Sequence, residues 1–147
     1  MKKFLFRLET LLQHRRNLEE KERTAFSTIR AKLRAELDGR ESLYLRQAQT
    51  LSELALKKLG DCDSREIAWY YRFLDRLGQE LEQSAKRIVQ LEKQLEAQKQ
   101  IMIEASRDKK MIENLRNKRE KEFVVSLERE EQKAIDEIVV TRFPLKQ

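Results

Sequence analysis

His14, Cys62 and the pair Asp61 and Asp63 are the side chains of this 147-residue chain whose types could do chemistry. A histidine could serve as general base, a thiolate as nucleophile, and clustered carboxylates as ligands for a divalent cation. None has the company its chemistry needs. His14 is the only histidine and sits in a polar stretch, so a solvated side chain is expected. Cys62, in "GDCDS", has no neighbouring histidine, and the flanking aspartates oppose thiolate formation. Two aspartates in one short turn fall short of an oxygen cage and are accounted for by helix capping. No glycine-rich phosphate loop is present. No catalytic residue, cofactor site or metal site is expected, and the chain reads as a non-enzyme.

The remaining chemistry is recognition. "AWYYRF", Ala68 to Phe73, holds four of the ten aromatic residues in a chain rich in Glu, Lys, Gln and Leu. These rings either pack locally against a neighbouring element, near Leu51 or Leu54, or offer a surface to a partner. Exposed aromatics beside apolar residues are the usual make-up of an interface hot spot, and the surface reading is the one favoured here.

The elements that carry these residues follow from composition and periodicity. The chain is 39% charged, with three glycines and one proline, Pro144. Its commonest residues are strong helix formers, and a sustained apolar period separates it from a disordered chain. From Ile67 the spacing alternates three and four through Tyr70, Leu74, Leu77, Leu81, Ser84, Ile88, Leu91, Leu95, Gln98, Met102 and Ala105. Lys109 breaks this seam and Ile112 resumes it. An earlier row, Leu8, Leu11, Arg15, Leu18, Ala25, Ile29, Leu33, Leu37, Tyr44, Leu51, Leu54, is less regular. Its phase slips at Leu33 and Leu37, just before Gly39, so a stutter or soft kink is expected there.

Between the rows lies "KKLGDCDSRE". Gly60 fits a C′ residue closing the first helix, and Asp63 with Glu66 fits a capping box opening the second. The expected fold is all-α: one long antiparallel two-helix coiled-coil hairpin forming a single domain over residues 1–147. Helix one covers about 4–58, the turn about 59–63, helix two about 64–140, and a short tail 141–147. At ~1.5 Å per residue the helices differ in length by roughly 33 Å. Residue i then faces roughly 122 − i, Phe4 falls opposite about Lys118, and residues 119–140 overhang. That overhang bears Phe123, Val124, Leu127, Ala134, Ile135, Ile138 and Val139, an apolar stripe that needs a partner or a second copy.

Charge narrows the partner class. The net +6 sits toward the termini, with ten Lys/Arg against four Glu in residues 1–35. Arg15, Arg16, Lys21, Arg23, Arg30, Lys32 and Arg34 could form a stripe beside "RDKKMIENLRNKREK". Glutamates interleave with them and no aromatics alternate, so no specific nucleic-acid binding is expected. Arg7 and Glu9 interrupt the N-terminal apolar run, which argues against a signal peptide. No run approaches ~18 apolar residues, so no direct membrane insertion is expected. The single cysteine suits a reducing, cytosolic compartment.

Three segments resemble the flagellar type III export protein family FliJ. They are Phe4-x-Phe6-Arg7-Leu8-Glu9-x-Leu11-Leu12-x-x-Arg15, then Tyr70-x-x-Phe73-Leu74-x-x-Leu77, and Glu131-Gln132-Lys133-Ala134-Ile135-Asp136-Glu137-Ile138. The resemblance implies a non-catalytic coiled-coil stalk that enters and activates the hexameric export ATPase. It also implies links to the cytoplasmic domain of the export gate membrane protein and to export chaperones. The place implied is cytoplasmic, peripheral to the inner-membrane export apparatus. By this resemblance the ring-facing residues are Phe4, Arg7, Leu8, Phe123, Leu127, Ile135 and Ile138, and the gate-facing patch is Trp69, Tyr70, Phe73, Leu77 and Tyr44. An injectisome stalk of the same architecture, and a generic scaffold or homodimer, are the alternative readings.

Overall fold

The structure, a computed structural model, describes residues 2–61 and 63–142. Cys62, Pro144 and most of the expected tail lie outside the described residues. Two helices, α1 (Glu9–Leu59) and α2 (Ser64–Arg142), pack against each other as an all-α hairpin, with no strand among the described residues. At 79 residues against 51, α2 is the longer, as expected. The chain divides into two compact units, Glu22–Met102 and Met1–Lys21 with Ile103–Gln147.

The α2 row behaves as its spacing predicts: Ile67 through Ala105, at alternating steps of three and four, is half-buried or buried throughout. The α1 row needs correction. Leu12, not Leu11, is the core residue, with no exposed area. Tyr44 and Leu51 point to solvent. Leu18, Ala25 and Leu37 are half-buried, as is Arg16, but the continuous shielded row is Leu8, Leu12, Arg15, Glu19, Glu22, Phe26, Ile29, Leu33, Glu36, Arg40, Leu43, Gln47, Thr50 and Leu54. Their steps alternate four and three without a slip. Glu36 rather than Leu37 continues the seam, so the expected stutter is absent and α1 runs unbroken through Gly39.

In the unit Glu22–Met102, Leu54, Leu77 and Ile88 are buried. Each such side chain contributes on the order of 1.5–3 kcal/mol through its removal from water. Polar layers alternate with them. One oxygen of the Glu36 carboxylate accepts 2.9 Å hydrogen bonds from the Ser84 hydroxyl and the Arg87 Nε. Gln98 Nε2 donates to the Glu22 backbone carbonyl at 3.1 Å and to its carboxylate at 2.5 Å. These pairs, with Glu53 against Tyr70, keep residue i facing roughly 122 − i. Unlike apolar contacts, they can be satisfied in only one register.

The Arg87 hydrogen bond, then that of Ser84, holds the Glu36 pKa below its ordinary 4.5, against a smaller opposing effect of burial. A depressed carboxylate contributes stability that is present above its unfolded pKa and lost as pH falls through the folded value. Stability should therefore fall below about pH 4.5, and Glu36→Gln should flatten that acid limb in denaturant titrations run between neutral pH and acid. An unchanged slope would remove Glu36 from the acid response.

In the unit Met1–Lys21 with Ile103–Gln147, Leu12 and Ala105 form the core. Lys109, which looked like a break in the seam, reaches the Glu19 carboxylate at 2.8 Å, and Glu19 is itself buried. Arg15 pairs with Asp108, Arg16 with Glu113, and Arg116 with Glu9.

At the turn, Asp63 is the N-cap of α2. Its backbone carbonyl accepts from Glu66 and Ile67, and its carboxylate accepts from the Arg65 amide at 3.3 Å. Asp63→Ala should cost about 1 kcal/mol, read as a shift in denaturant midpoint at unchanged slope. The C′ role of Gly60 is not realised as expected. No glycine has positive φ, and α1 closes instead with a Gly60 amide to Lys57 carbonyl bond at 3.3 Å.

Candidate partner-binding surfaces

Heptad position decides which of the AWYYRF rings are available. Ile67 and Tyr70 lie in the seam, which places Trp69 and Phe73 one turn apart on one flank. Their rings stack with centroids 5.3 Å apart and planes 5° from parallel, and the Tyr70 ring meets Trp69 edge-on at 5.2 Å. Trp69 is 57% exposed, while Tyr70 and Phe73 are half-buried. The stack is thus a surface feature fixed by its own helix and supported from below by Tyr70, whose hydroxyl is 3.5 Å from the Glu53 carboxylate.

Two of the expected patch residues do not join it. Leu77 is 2% exposed and belongs to the core, because it occupies the next seam position after Leu74. Tyr44 is exposed but directly follows the seam residue Leu43, which sets it on the flank carrying Tyr71 rather than Phe73. Lys58 marks that flank: its ammonium donates to the Tyr71 hydroxyl at 2.5 Å and lies 5.0 Å from the ring centroid.

The second surface departs most from expectation. Helix one was to begin near residue 4, leaving α2 bare from residue 119. In the structure α1 begins at Glu9, and residues 2–6 are neither helix nor turn. Phe4, Phe6 and Leu8 are half-buried, while Lys3, Leu5 and Arg7 face out, a period of two. An extended chain advances ~3.3 Å per residue against ~1.5 Å for a helix. Residues 2–6 run extended past a turn at Arg7–Leu8, where the Phe6 carbonyl accepts the Glu9 amide at 3.1 Å, and so the seven residues from Glu9 back to Lys2 keep pace with the fourteen from Arg116 to Glu130. Glu9 binds Arg116 at 3.0 Å, the Phe4 ring lies 5.7 Å from that of Phe123, and Lys2 reaches Glu130 at 3.0 Å.

The segment and α2 enclose an open groove of about 910 Å³ lined by Phe4, Phe6, Leu8, Leu115, Phe123 and Ser126 among others. Phe123, against the Phe4 ring, and Leu127 are half-buried, and every described residue of α2 after Leu127 is exposed. There Ile135 and Ile138 are exposed, as are Val139 and Val140. Of the expected ring-facing residues, the structure brings Phe4, Leu8 and Phe123 to one groove, turns Arg7 outward at its lip, and leaves Ile135 and Ile138 further along α2. The signal for the extended segment was legible as the alternation Phe4, Phe6, Leu8.

Elsewhere, His14 is exposed on α1. No group of three or more His, Cys, Asp or Glu able to hold a metal occurs among the described residues, and no helix there is long and apolar enough to cross a membrane. Arg15, Arg16 and Lys109, within the basic stretches, are each set against a carboxylate.

A long antiparallel helical pair with polar layers in its seam, a stacked aromatic patch near its turn and an uncovered apolar helix end is a two-helix coiled-coil protein. The chain belongs to the flagellar FliJ protein family, whose sequence profile matches residues 3–147, and so to the proteins of flagellar export. No curated protein and no solved structure matches the chain.

Proposed function

We propose that this chain is the non-catalytic stalk of the flagellar type III export apparatus. The region containing the N-terminal segment and the end of α2 enters the hexameric export ATPase and raises its turnover. The Trp69–Tyr70–Phe73 face meets the cytoplasmic domain of the export gate membrane protein, and export chaperones are further partners. The work is cytoplasmic, at the inner-membrane apparatus. One observation carries the ring assignment: past Glu130, α2 presents Ile135 and Ile138 on a face that no other described segment covers. An amphipathic helix of this kind lays its apolar face into a partner's groove.

The test is ATP hydrolysis by the cognate export ATPase, titrated with the full chain and with Ile135→Glu/Ile138→Glu. Both positions are exposed, so helicity and mass should not change. The variant should need about tenfold more protein or greater for half-stimulation, as for loss of a hot spot. Equal stimulation by both would overturn the ring assignment. A drop in mass of the variant from two chains to one would instead favour a homodimer.

A further inference from the structure

We infer that residues 2–8 form a two-state strap. With residues 2–6 extended along α2 it covers the Phe123 face; wound as further turns of α1 it uncovers that face. Three features of the chain carry this.

The start of α1 is marked only by Glu9 in its first turn and by the Glu9 amide on the Phe6 carbonyl at 3.1 Å, with no side-chain cap. Leu8 occupies the N-cap position, its carbonyl accepting from Leu12 at 2.8 Å, yet its side chain has no acceptor to offer the first-turn amides. Nor is there a glycine or proline in residues 2–8 to forbid helix.

The same residues also carry both periods. Extended, they turn Phe4, Phe6 and Leu8 inward and leave Leu5 88% exposed. Continued backward as helix, the seam Glu19, Arg15, Leu12, Leu8 next reaches Leu5. The most exposed apolar residue of the strap would then enter the core row. Winding therefore exchanges one set of apolar contacts for another rather than forfeiting them.

Finally, the strap is lightly seated. The Lys2–Glu130 pair is exposed on both sides, where such pairs contribute little, and the groove under the aromatic residues is open. As helix, residues 2–6 would span ~6 Å rather than ~13 Å. Lys2 would then fall well short of Glu130 and the Phe4–Phe123 contact would be lost. That the uncovered face receives the ATPase ring rests on the function proposed above; the strap itself does not.

Spin labels at Lys3→Cys and Glu131→Cys, in a Cys62→Ser background, measure the strap directly by pulsed electron resonance. Leu5→Pro biases Phe4 to extended backbone and should hold the short distance. Phe4→Ala with Phe6→Ala removes the anchors and adds helix-favouring residues, and should lengthen the distance by roughly 6 Å. The same short distance in both variants would overturn the strap. Adding the export ATPase to the otherwise unaltered labelled chain should also lengthen it. A distance that stays short while turnover rises would overturn the covering role. Absence of any rise in turnover would count against the ring assignment, leaving the strap to be judged on the two variants alone.

Discussion

Glu19→Leu alone should destabilise the protein by about 2–3 kcal/mol in denaturant titrations, whereas Glu19→Leu with Lys109→Leu should recover most or all of that loss. The Glu19 side chain is 7% exposed and its carboxylate sits 2.8 Å from the ammonium of Lys109, whose side chain is 22% exposed. Removing one member strands the other charge where water is scarce, which for wholly buried pairs costs about 3–5 kcal/mol. The residual exposure of Lys109 places the expected value below that range. Replacing both restores an apolar layer, and such exchanges are often neutral or stabilising. If the single and double variants were equally destabilised, the pair would not be coupled and the polar layer would have another basis.

Leu77→Ala should cost about 2–4 kcal/mol, and Trp69→Ala with Phe73→Ala should cost no more than that despite removing far more surface. Leu77 is 2% exposed, so truncation loses transfer free energy and leaves a cavity that two packed helices cannot easily close. The Trp69–Phe73 stack lies mainly on the outside of α2, and an aromatic pair of this kind contributes about 0.5–1.5 kcal/mol beyond its buried area. If the order were reversed, the rings would be the core and the recognition surface near the turn would have to be sought elsewhere. The same variants separate stability from binding. Leu77→Ala should weaken a gate interaction only as far as it unfolds the chain, whereas the ring variants should weaken it at full helicity.

The α2 seam could be read directly because its a and d positions are largely apolar, so a search for apolar residues finds the true period. The same search misled on α1. Its seam is held at Arg15, Glu19, Glu22, Glu36, Arg40, Gln47 and Thr50 by residues that look like surface. Glu19, Glu22 and Glu36 become interior residues only because Lys109, Gln98 and Ser84 stand across from them. Of the expected surface patches, Trp69 and Phe73 were legible from their one-turn spacing. Leu77 and Tyr44 stand apart from that stack because one lies in the seam and the other on the opposite flank, which residue type does not reveal.

From the sequence by itself come the two helices, their turn with its Asp63 cap, the greater length of α2 and the apolar end that needs a partner. These depend on propensity, period and local hydrogen bonding, which act over a few residues. Tertiary structure decided the polar register of the seam and the path of residues 2–8. Both are choices between alternatives of similar local free energy. A glutamate is equally at home in water until a lysine faces it. The segment Lys2–Leu8, with no cap and two apolar periods, takes the extended one only where Phe123 and Glu130 are there to receive it.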